Sequence, residues 1–392
     1  MGKRVLIVPR KAAILVGVVM MLSGCDELKK SLLTDPIQIE REVFVPGLYG
    51  DRHGAAQLPD GGFVIVGGGQ NAWAARTDAT GKLLWKYEEP YDPASRVHYG
   101  QSEFNDAVSR ANGQIWLSGQ ASTNGYQAGL LVTLDENGKL VQRQLFRPND
   151  EPVGSGSLER IIAWGDGYAI TGWGTDFKRS FFWLLKVDAN GNKEWDKVRA
   201  DVVGAYGVAL SDGSLVLAGA GDDREDNAAI VRLDSKGKVI ARRSIPYPDA
   251  IPVQPLDHSD RVRVLAIDGA DRNHLFSLDG NLTDERASRF IEGPNIRNAD
   301  GAGALHNGPV LELPNDSIAL FGNLFMGGRV SRASIGRWGS RSTTQVVSLQ
   351  NPRKSSHGFF AAIRLEANKF VAMRDEIGSG SSGVVLSWVT FN

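Results

Sequence analysis

Residues Asp106–Phe146 read DAVSRANGQIWLSGQASTNGYQAGLLVTLDENGKLVQRQLF, and the spacing of this stretch decides the fold. Four runs rich in β-branched and apolar residues, Ala107–Arg110, Gln114–Gly119, Ala128–Asp135 and Lys139–Phe146, are separated by turn chemistry. Asn112-Gly113 joins the first two runs and Asp135-Glu136-Asn137-Gly138 the last two. In each, an Asn or Asp starts the turn and a Gly accepts the positive φ of a tight hairpin. Leu130-Leu131-Val132 is apolar without alternation, as expected of a strand covered on both faces. The stretch predicts a four-stranded antiparallel meander.

The same grammar recurs along the chain. Gly62–Gly68 (GFVIVGG) leads to Ala75–Trp85, Gly167–Gly172 (GYAITG) to Leu184–Trp195, and Gly213–Gly219 (GSLVLAG) to Ile230–Ile240. Degenerate copies fall at Arg263–Leu282, Val310–Asn323 and Phe360–Asp375. The first turns lie at Gly61, Gly113, Gly167 and Gly213, then near Asn273, Asp316 and Asn368. Their spacing of roughly 40–60 residues for four strands marks a propeller blade. The expected fold is all-β, a β-propeller of four-stranded antiparallel blades, seven in number.

Composition agrees. A chain of 392 residues suggests two or three domains by length alone, but a repeat closed into a ring is one cooperative body. Its 46 glycines and 8% aromatic residues suit a turn-rich all-β fold, and no long 3.6-residue periodicity appears in the body.

Lys3, Arg4, Arg10 and Lys11 precede an apolar run, Ala12–Leu22, which is too short to span a bilayer comfortably. The run ends in Leu22-Ser23-Gly24-Cys25. This resembles the bacterial lipoprotein signal, in which small residues stand before a cysteine that is acylated and becomes the mature N-terminus. Cys25 is the only cysteine, so no internal disulfide is available. Asp26 and Glu27 follow it directly. An acidic residue there resembles the signal that retains lipoproteins in the inner membrane of enteric bacteria. Removing residues 1–24 takes four basic and no acidic side chains from 44 Lys+Arg and 45 Asp+Glu, leaving a balance of about −5. That balance argues against a general nucleic-acid binder.

The expected organisation is a signal peptide over 1–24, a lipid-anchored tether over 25–36 and a propeller over 37–392. Ile37–Val45 alternates as one strand without a hairpin partner before it, while Phe360–Glu366, Lys369–Asp375 and Gly383–Phe391 supply only three strands before the chain stops. Ile37–Val45 is therefore expected as the outer strand of the last blade, removing open edges.

Connections between strands one and two, and three and four, read as tight glycine turns, and the other two sets read as long and varied. In a meander the two sets emerge on opposite faces, and the varied face is expected to carry function. Its partner-binding candidates are Arg96, His98 and Tyr99 in 88–104, Lys178 and Arg179 in 174–180, Asp222, Asp223 and Asp226 in 221–227, and His258 in 245–261.

Motifs for catalysis or metal binding are not found. The turns at Asp135 and Asp188 lack the acidic spacing and terminal Glu of a calcium loop and read as hairpin turns. The acidic cluster at 222–226 contains Arg224 and reads as a solvated loop. The six histidines form no HExxH and no close pair. There is no GxSxG elbow and no P-loop, and Gly378–Gly383 (GSGSSG) reads as a turn. Trp85 and Trp195, at matching places in the fourth strand, read as blade-packing residues. No catalytic residue, metal or cofactor is expected.

The segment ARTDATGKLLW, with its Asp, Gly-Lys and Trp, resembles the repeat of quinoprotein-like propellers and other bacterial propeller repeats. The resemblance covers blades one to four well and the rest poorly. It implies a propeller and, in the quinone-dependent dehydrogenases, a calcium-bound quinone whose pocket residues have no counterparts here. An outer-membrane assembly lipoprotein with a quinoprotein-like propeller is similar in address and architecture, though it differs in repeat number and in the residues after its cysteine.

The reading that follows is a monomeric, lipid-anchored, non-enzymatic propeller that binds a protein or peptide from the periplasmic side of the inner membrane. A second reading is a propeller enzyme, a dehydrogenase, lyase or glycan hydrolase, using carboxylates in the central funnel. A third is a periplasmic immunity or inhibitor lipoprotein.

Overall fold

The computed structural model describes residues 37–48, 52–69, 71–90, 102–123, 126–148, 155–175, 180–199, 202–221, 227–256, 261–267, 273–282, 285–291, 310–314, 317–326, 329–338, 344–348, 359–378 and 381–392. The first strand, β1, is Ile37–Pro46. Blade one follows as β2–β5 (Arg52–Gln57, Phe63–Gly67, Trp73–Thr77, Leu83–Glu88) and blade two as β6–β9 (Ser102–Ser109, Ile115–Thr123, Tyr126–Leu134, Leu140–Phe146). Blade three is β10–β13 (Ser155–Trp164, Gly167–Thr175, Ser180–Val187, Lys193–Arg199), and blade four is β14–β17 (Val202–Ala209, Leu215–Gly221, Ala228–Leu233, Val239–Ile245). Blade five is β18–β21 (Asp249–Pro252, Val262–Ile267, Asn273–Leu278, Glu285–Ile291), and blade six is β22–β25 (Val310–Leu313, Ser317–Met326, Arg329–Trp338, Thr344–Ser348). The last strands are β26–β28 (Phe359–Glu366, Lys369–Gly378, Ser381–Phe391).

The pairing corrects the count of uninterrupted repeats. Six sheets, not seven, are built from four consecutive strands. The strands β26–β28 have no fourth of their own. Their sheet has the order β1-β28-β27-β26, with β1 antiparallel on β28 from Ile37↔Phe391 to Pro46↔Gly383. Glu42 anchors this pairing: its Oε1 accepts from the buried Arg374 guanidinium at 2.9 Å and from the Ser387 hydroxyl at 2.8 Å.

The apolar core is divided into wedges between sheets. In the wedge between blades one and two, Val64, Val66 and Ala74 meet Phe104, Leu117 and Leu130; between blades two and three, Trp116 and Leu131 meet Leu158 and Trp183. Comparable clusters fill the wedges onward around the ring, and Val45, Phe63, Trp73, Met373 and Trp388 pack together where β1 and β26–β28 meet blade one. This arrangement explains the sequence pattern. Middle strands such as β8 are covered on both faces and do not alternate, whereas the outer β9 alternates exposed and half-buried.

Five of the seven innermost strands are bulged. Register slips fall between Arg52 and Gly54, Phe104 and Asp106, Leu158 and Arg160, Val203 and Tyr206, and Phe359 and Ala361. The bulge explains the glycine within the second strand of the repeat. A Cβ on Gly119 would lie 1.8 Å from the Glu103 carbonyl oxygen, and one on Gly172 would lie 2.0 Å from that of Ser157.

Two expectations about connections and strands need revision. The first run of blade two was placed at Ala107–Arg110, but the strand begins at Ser102, because Asn105 and Asp106 bury their polar groups against blade three. The connections from strand two to strand three are not all long: only residues 124–125, 327–328 and 379–380 separate those strands in blades two, six and the last sheet. Thr123 pairs with Tyr126 and Ser122 with Gln127, so polar residues extend the ladder, which needs backbone groups and not apolar side chains.

Candidate functional site: the channel and the two faces of the ring

An axial cavity of about 800 Å³ is lined by the innermost strands β2, β6, β10, β14, β18, β22 and β26. Small residues, among them Ala55, Ala163, Gly207 and Ala361, keep it open, and its charged lining residues are Asp106, Arg160 and Arg364.

Asp106 sits beside the bulge of β6. Its Oδ2 accepts the Ile161 N–H at 2.9 Å, and its Oδ1 lies 3.5 Å from Arg160 Nη1. Burial pushes the Asp106 carboxyl above the ordinary carboxylate range, against the pull of Arg160 and the N–H bonds. Next to it, the Asn105 amide donates to Ser157 Oγ at 2.9 Å and to the Leu158 carbonyl at 3.1 Å. These bonds stitch blade two to blade three at the channel wall.

A second network lies on another arc of the wall. Arg263 Nη1 is 2.7 Å from Glu312 Oε1, and Glu312 Oε2 accepts the Leu256 N–H at 3.0 Å. Arg364 donates to the Glu312 carbonyl at 2.6 Å and lies 5.1 Å above the Phe370 ring. Burial lowers the Arg364 pKa against the raising effect of Glu312. Gln254 adds a parallel bridge to Leu311. Both networks join blades, so the charged groups position the wall, and the cavity can hold a small ligand. Sequence reading passed over all of these residues, because their partners lie on other blades, roughly 50 residues away.

The face bearing the turns between strands three and four is occupied by a repeated latch. In blades one to five each of these turns presents a backbone carbonyl, and a cation from the preceding sheet donates to it. Arg41 on β1 donates to the Ala79 carbonyl at 3.0 Å, Arg76 to Glu136, Arg110 to Ala189, Lys197 to Gly237 and Arg232 to Gly280. Indoles reinforce four of the latches. Trp85 Nε1 donates to the Glu136 carbonyl at 3.1 Å, and Arg41, Arg110 and Lys197 lie over Trp388, Trp116 and Trp195 at 3.6, 4.3 and 4.8 Å. Trp85 and Trp195 thus pack blade on blade.

The turn carboxylates are used internally. Asp135 Oδ1 accepts the N–H groups of Asn137 and Lys139, and Asp188 Oδ1 those of Asn190 and Asn192. Among the described residues no group of three His, Cys, Asp or Glu side chains could hold a metal ion. His274 lies against Tyr247, with ring centroids 4.6 Å apart, and does not line the cavity. Arg96, His98, Tyr99, Lys178, Arg179, Asp222, Asp223, Asp226 and His258 lie outside the described residues, as do Cys25, Asp26 and Glu27.

No family model matches the chain. No curated protein matches it either. Solved structures do. A chain in the crystal structure of a mitotic checkpoint complex aligns with a TM-score of 0.55 at 10% identity, covering 90% of this chain and 91% of the other. Puromycin hydrolase aligns at 0.54 and 15% identity, over 86% of this chain and 52% of that one. The WD40 β-propeller domain of Doa1 aligns at 0.52 and 12% identity, over 89% and 96%. At these identities the likeness shows the propeller fold and nothing further.

Proposed function

We propose that this protein is a non-enzymatic scaffold that binds a protein or peptide partner through the face opposite the latched turns. In this reading a lipid on Cys25 holds it on the periplasmic side of a bacterial membrane, and Asp26 and Glu27 favour the inner membrane. The observation that carries the reading is the asymmetry of the two faces. One face is consumed by blade-to-blade bonds to the turns at 78–82, 135–139, 188–192 and 234–238. The other bears connections of unequal length, including 89–101, 292–309 and 349–358, and variable connections on a rigid scaffold are where binding residues concentrate. A propeller solved within a mitotic checkpoint complex shares this architecture, which is support by fold analogy alone.

In-cell crosslinking of the full chain tests the reading. Charge reversal at Asp222, Asp223 and Asp226, or alanine at Arg96, His98 and Tyr99, is expected to remove the crosslinked partner while the Tm stays unchanged, since loop substitutions usually cost under about 0.5 kcal/mol. Lys178, Arg179 and His258 form a second set with the same expectation. Glu136 and Lys236 on the turn face are the controls, and loss of partner only there would place the site on the wrong face. Fractionation tests the address: a Cys25→Ala protein that stays membrane-bound would remove the lipid anchor, and native protein in the outer membrane would remove retention.

A further inference from the structure

The outer strands carry a second register slip, near their starts. It leaves Leu84 in β5, Val141 in β9 and Ile240 in β17 as extra residues, and charged ones elsewhere, Glu194 in β13, Arg286 in β21 and Glu40 in β1. A bulged residue leaves the ladder and turns its side chain away from the sheet. Leu84, Val141 and Ile240 are accordingly 49%, 54% and 51% exposed, and their neighbours Leu83 and Leu140 are 38% and 40% exposed.

Two of these apolar pairs are adjacent. Trp85, next to Leu84, packs on the turn at Glu136–Gly138 of blade two, which runs directly into Leu140 and Val141. Val43 and Trp388 of the neighbouring sheet lie against Gly81, just before Leu83. Blades one and two therefore present Leu83, Leu84, Leu140 and Val141 as one apolar arc on the rim of the turn face. Each pair is preceded by an exposed lysine, Lys82 or Lys139. Of the acids in these two turns, Asp78 and Asp135 accept N–H groups of their own turns, and Glu136 is exposed at the rim. Aliphatic side chains beside ammonium groups suit the boundary between lipid headgroups and acyl chains.

The start of β1 identifies the occupant. It is the outer strand of the sheet next to blade one, and Ile37, its first residue, stands at the same end of the outer strands as Leu83 and Leu140. Eleven residues lie between Cys25 and Ile37, a reach of at most about 40 Å. The tether thus enters beside the arc. We propose that Leu83, Leu84, Leu140 and Val141 rest on the phospholipid bilayer, so that the turn-face rim of blades one and two meets the membrane and the opposite face looks away from it. This rests on the lipid anchor proposed above.

The test separates the surface from the anchor. The chain from residue 25, which contains every described residue, is prepared with Cys25→Ala and an N-terminal histidine tag and held on nickel-chelating vesicles of phosphatidylcholine and phosphatidylglycerol. Leu84→Cys, Val141→Cys or Ile240→Cys then supplies the one thiol for a fluorophore, and the vesicles carry a quencher at the headgroup level. Severalfold stronger quenching at 84 and 141 than at 240 is the expected result. Equal quenching at all three positions, or none at 84 and 141, would overturn the proposal. Maleimide labelling of native protein from cells reports on the anchor alone: an unreactive Cys25 supports acylation, while a reactive one removes the anchor and leaves the arc to be judged by the quenching.

Discussion

In blades one to four the turn from the third strand to the fourth has glycine at its left-handed position: Gly81, Gly138, Gly191 and Gly237, with φ between +73° and +91°. In blade five that position is Leu282, at φ +61°. The hydrogen bonds are alike, Gly138 N–H to the Asp135 carbonyl at 3.0 Å and Leu282 N–H to that of Asp279 at 3.0 Å. The latch is kept too, with Arg232 donating to Gly280 and Arg243 to the Leu282 carbonyl at 3.2 Å. A leucine in this conformation costs about 1–2 kcal/mol. Burying its side chain, 2% exposed in the wedge between blades four and five, contributes about 1.5–3 kcal/mol and outweighs that cost. The ring imposes the turn, and glycine only makes it inexpensive.

The comparison breaks most visibly at Gly138. A Cβ there would lie 2.7 Å from Trp85 Cδ2, whereas one on Gly213, at the same φ of +80°, meets nothing within 4 Å. Gly213→Ala is expected to cost the backbone strain alone, about 1–2 kcal/mol, and Gly138→Ala about 2–4 kcal/mol. In a Trp85→Ala background the excess should vanish. Denaturant melts of the native protein, the two glycine variants, Trp85→Ala and the double variant measure this, and equal losses at the two glycines would mean that the indole yields without cost.

Leu282→Gly sharpens the comparison from the other side. Strain is relieved, but a buried leucine is deleted, so a net loss of about 1–3 kcal/mol is expected. A glycine variant that melts higher than native would show that strain, not burial, dominates blade five.

The smallest effect is in acid. Hydrogen bonds hold three turn carboxyls below the ordinary range: chiefly the Thr80 hydroxyl at Asp78, the Asn192 amide at Asp188 and the Lys238 N–H at Asp234. A folded pKa below the unfolded one means that their contribution is present above the ordinary carboxylate range and is lost as pH falls through the folded values. Replacing all three with Asn should flatten the acid limb of a Tm-against-pH curve below about pH 4 while leaving the latches in place. An unchanged acid limb would assign acid sensitivity to other carboxyls. Asp106 acts in the opposite sense: its raised folded pKa favours the folded state at low pH, and that contribution is lost as pH rises through it.

This contrast also explains what could be read from the chain. Turns of the form Asp-x-x-Gly are legible because their φ demands glycine, so blades one to four stand out. Blade five hides because Leu282 answers the same demand through burial, and because its innermost strand, Asp249–Pro252, is too short to show a period. The bulges leave no signal, since Asn105, Leu84 and Val141 are ordinary strand or turn residues until pairing displaces them. Polar hairpin ends such as Ser122–Gln127 read as loop although they pair. Asp106 with Arg160, and Arg263 with Glu312, depend on neighbours roughly 50 residues away, which no local pattern records.

In every latch the acceptor is main chain. Ala79, Glu136, Ala189, Gly237 and Gly280 have little in common as side chains, yet each offers the same oxygen to the blade before it. A substitution in a turn therefore leaves the latch intact so long as the backbone conformation survives, while losing the cation breaks it. The tolerance to drift is split between neighbours: within one blade the turn is free to change while the donor is not, and the donor's constraint is set by a blade whose own side chains can wander.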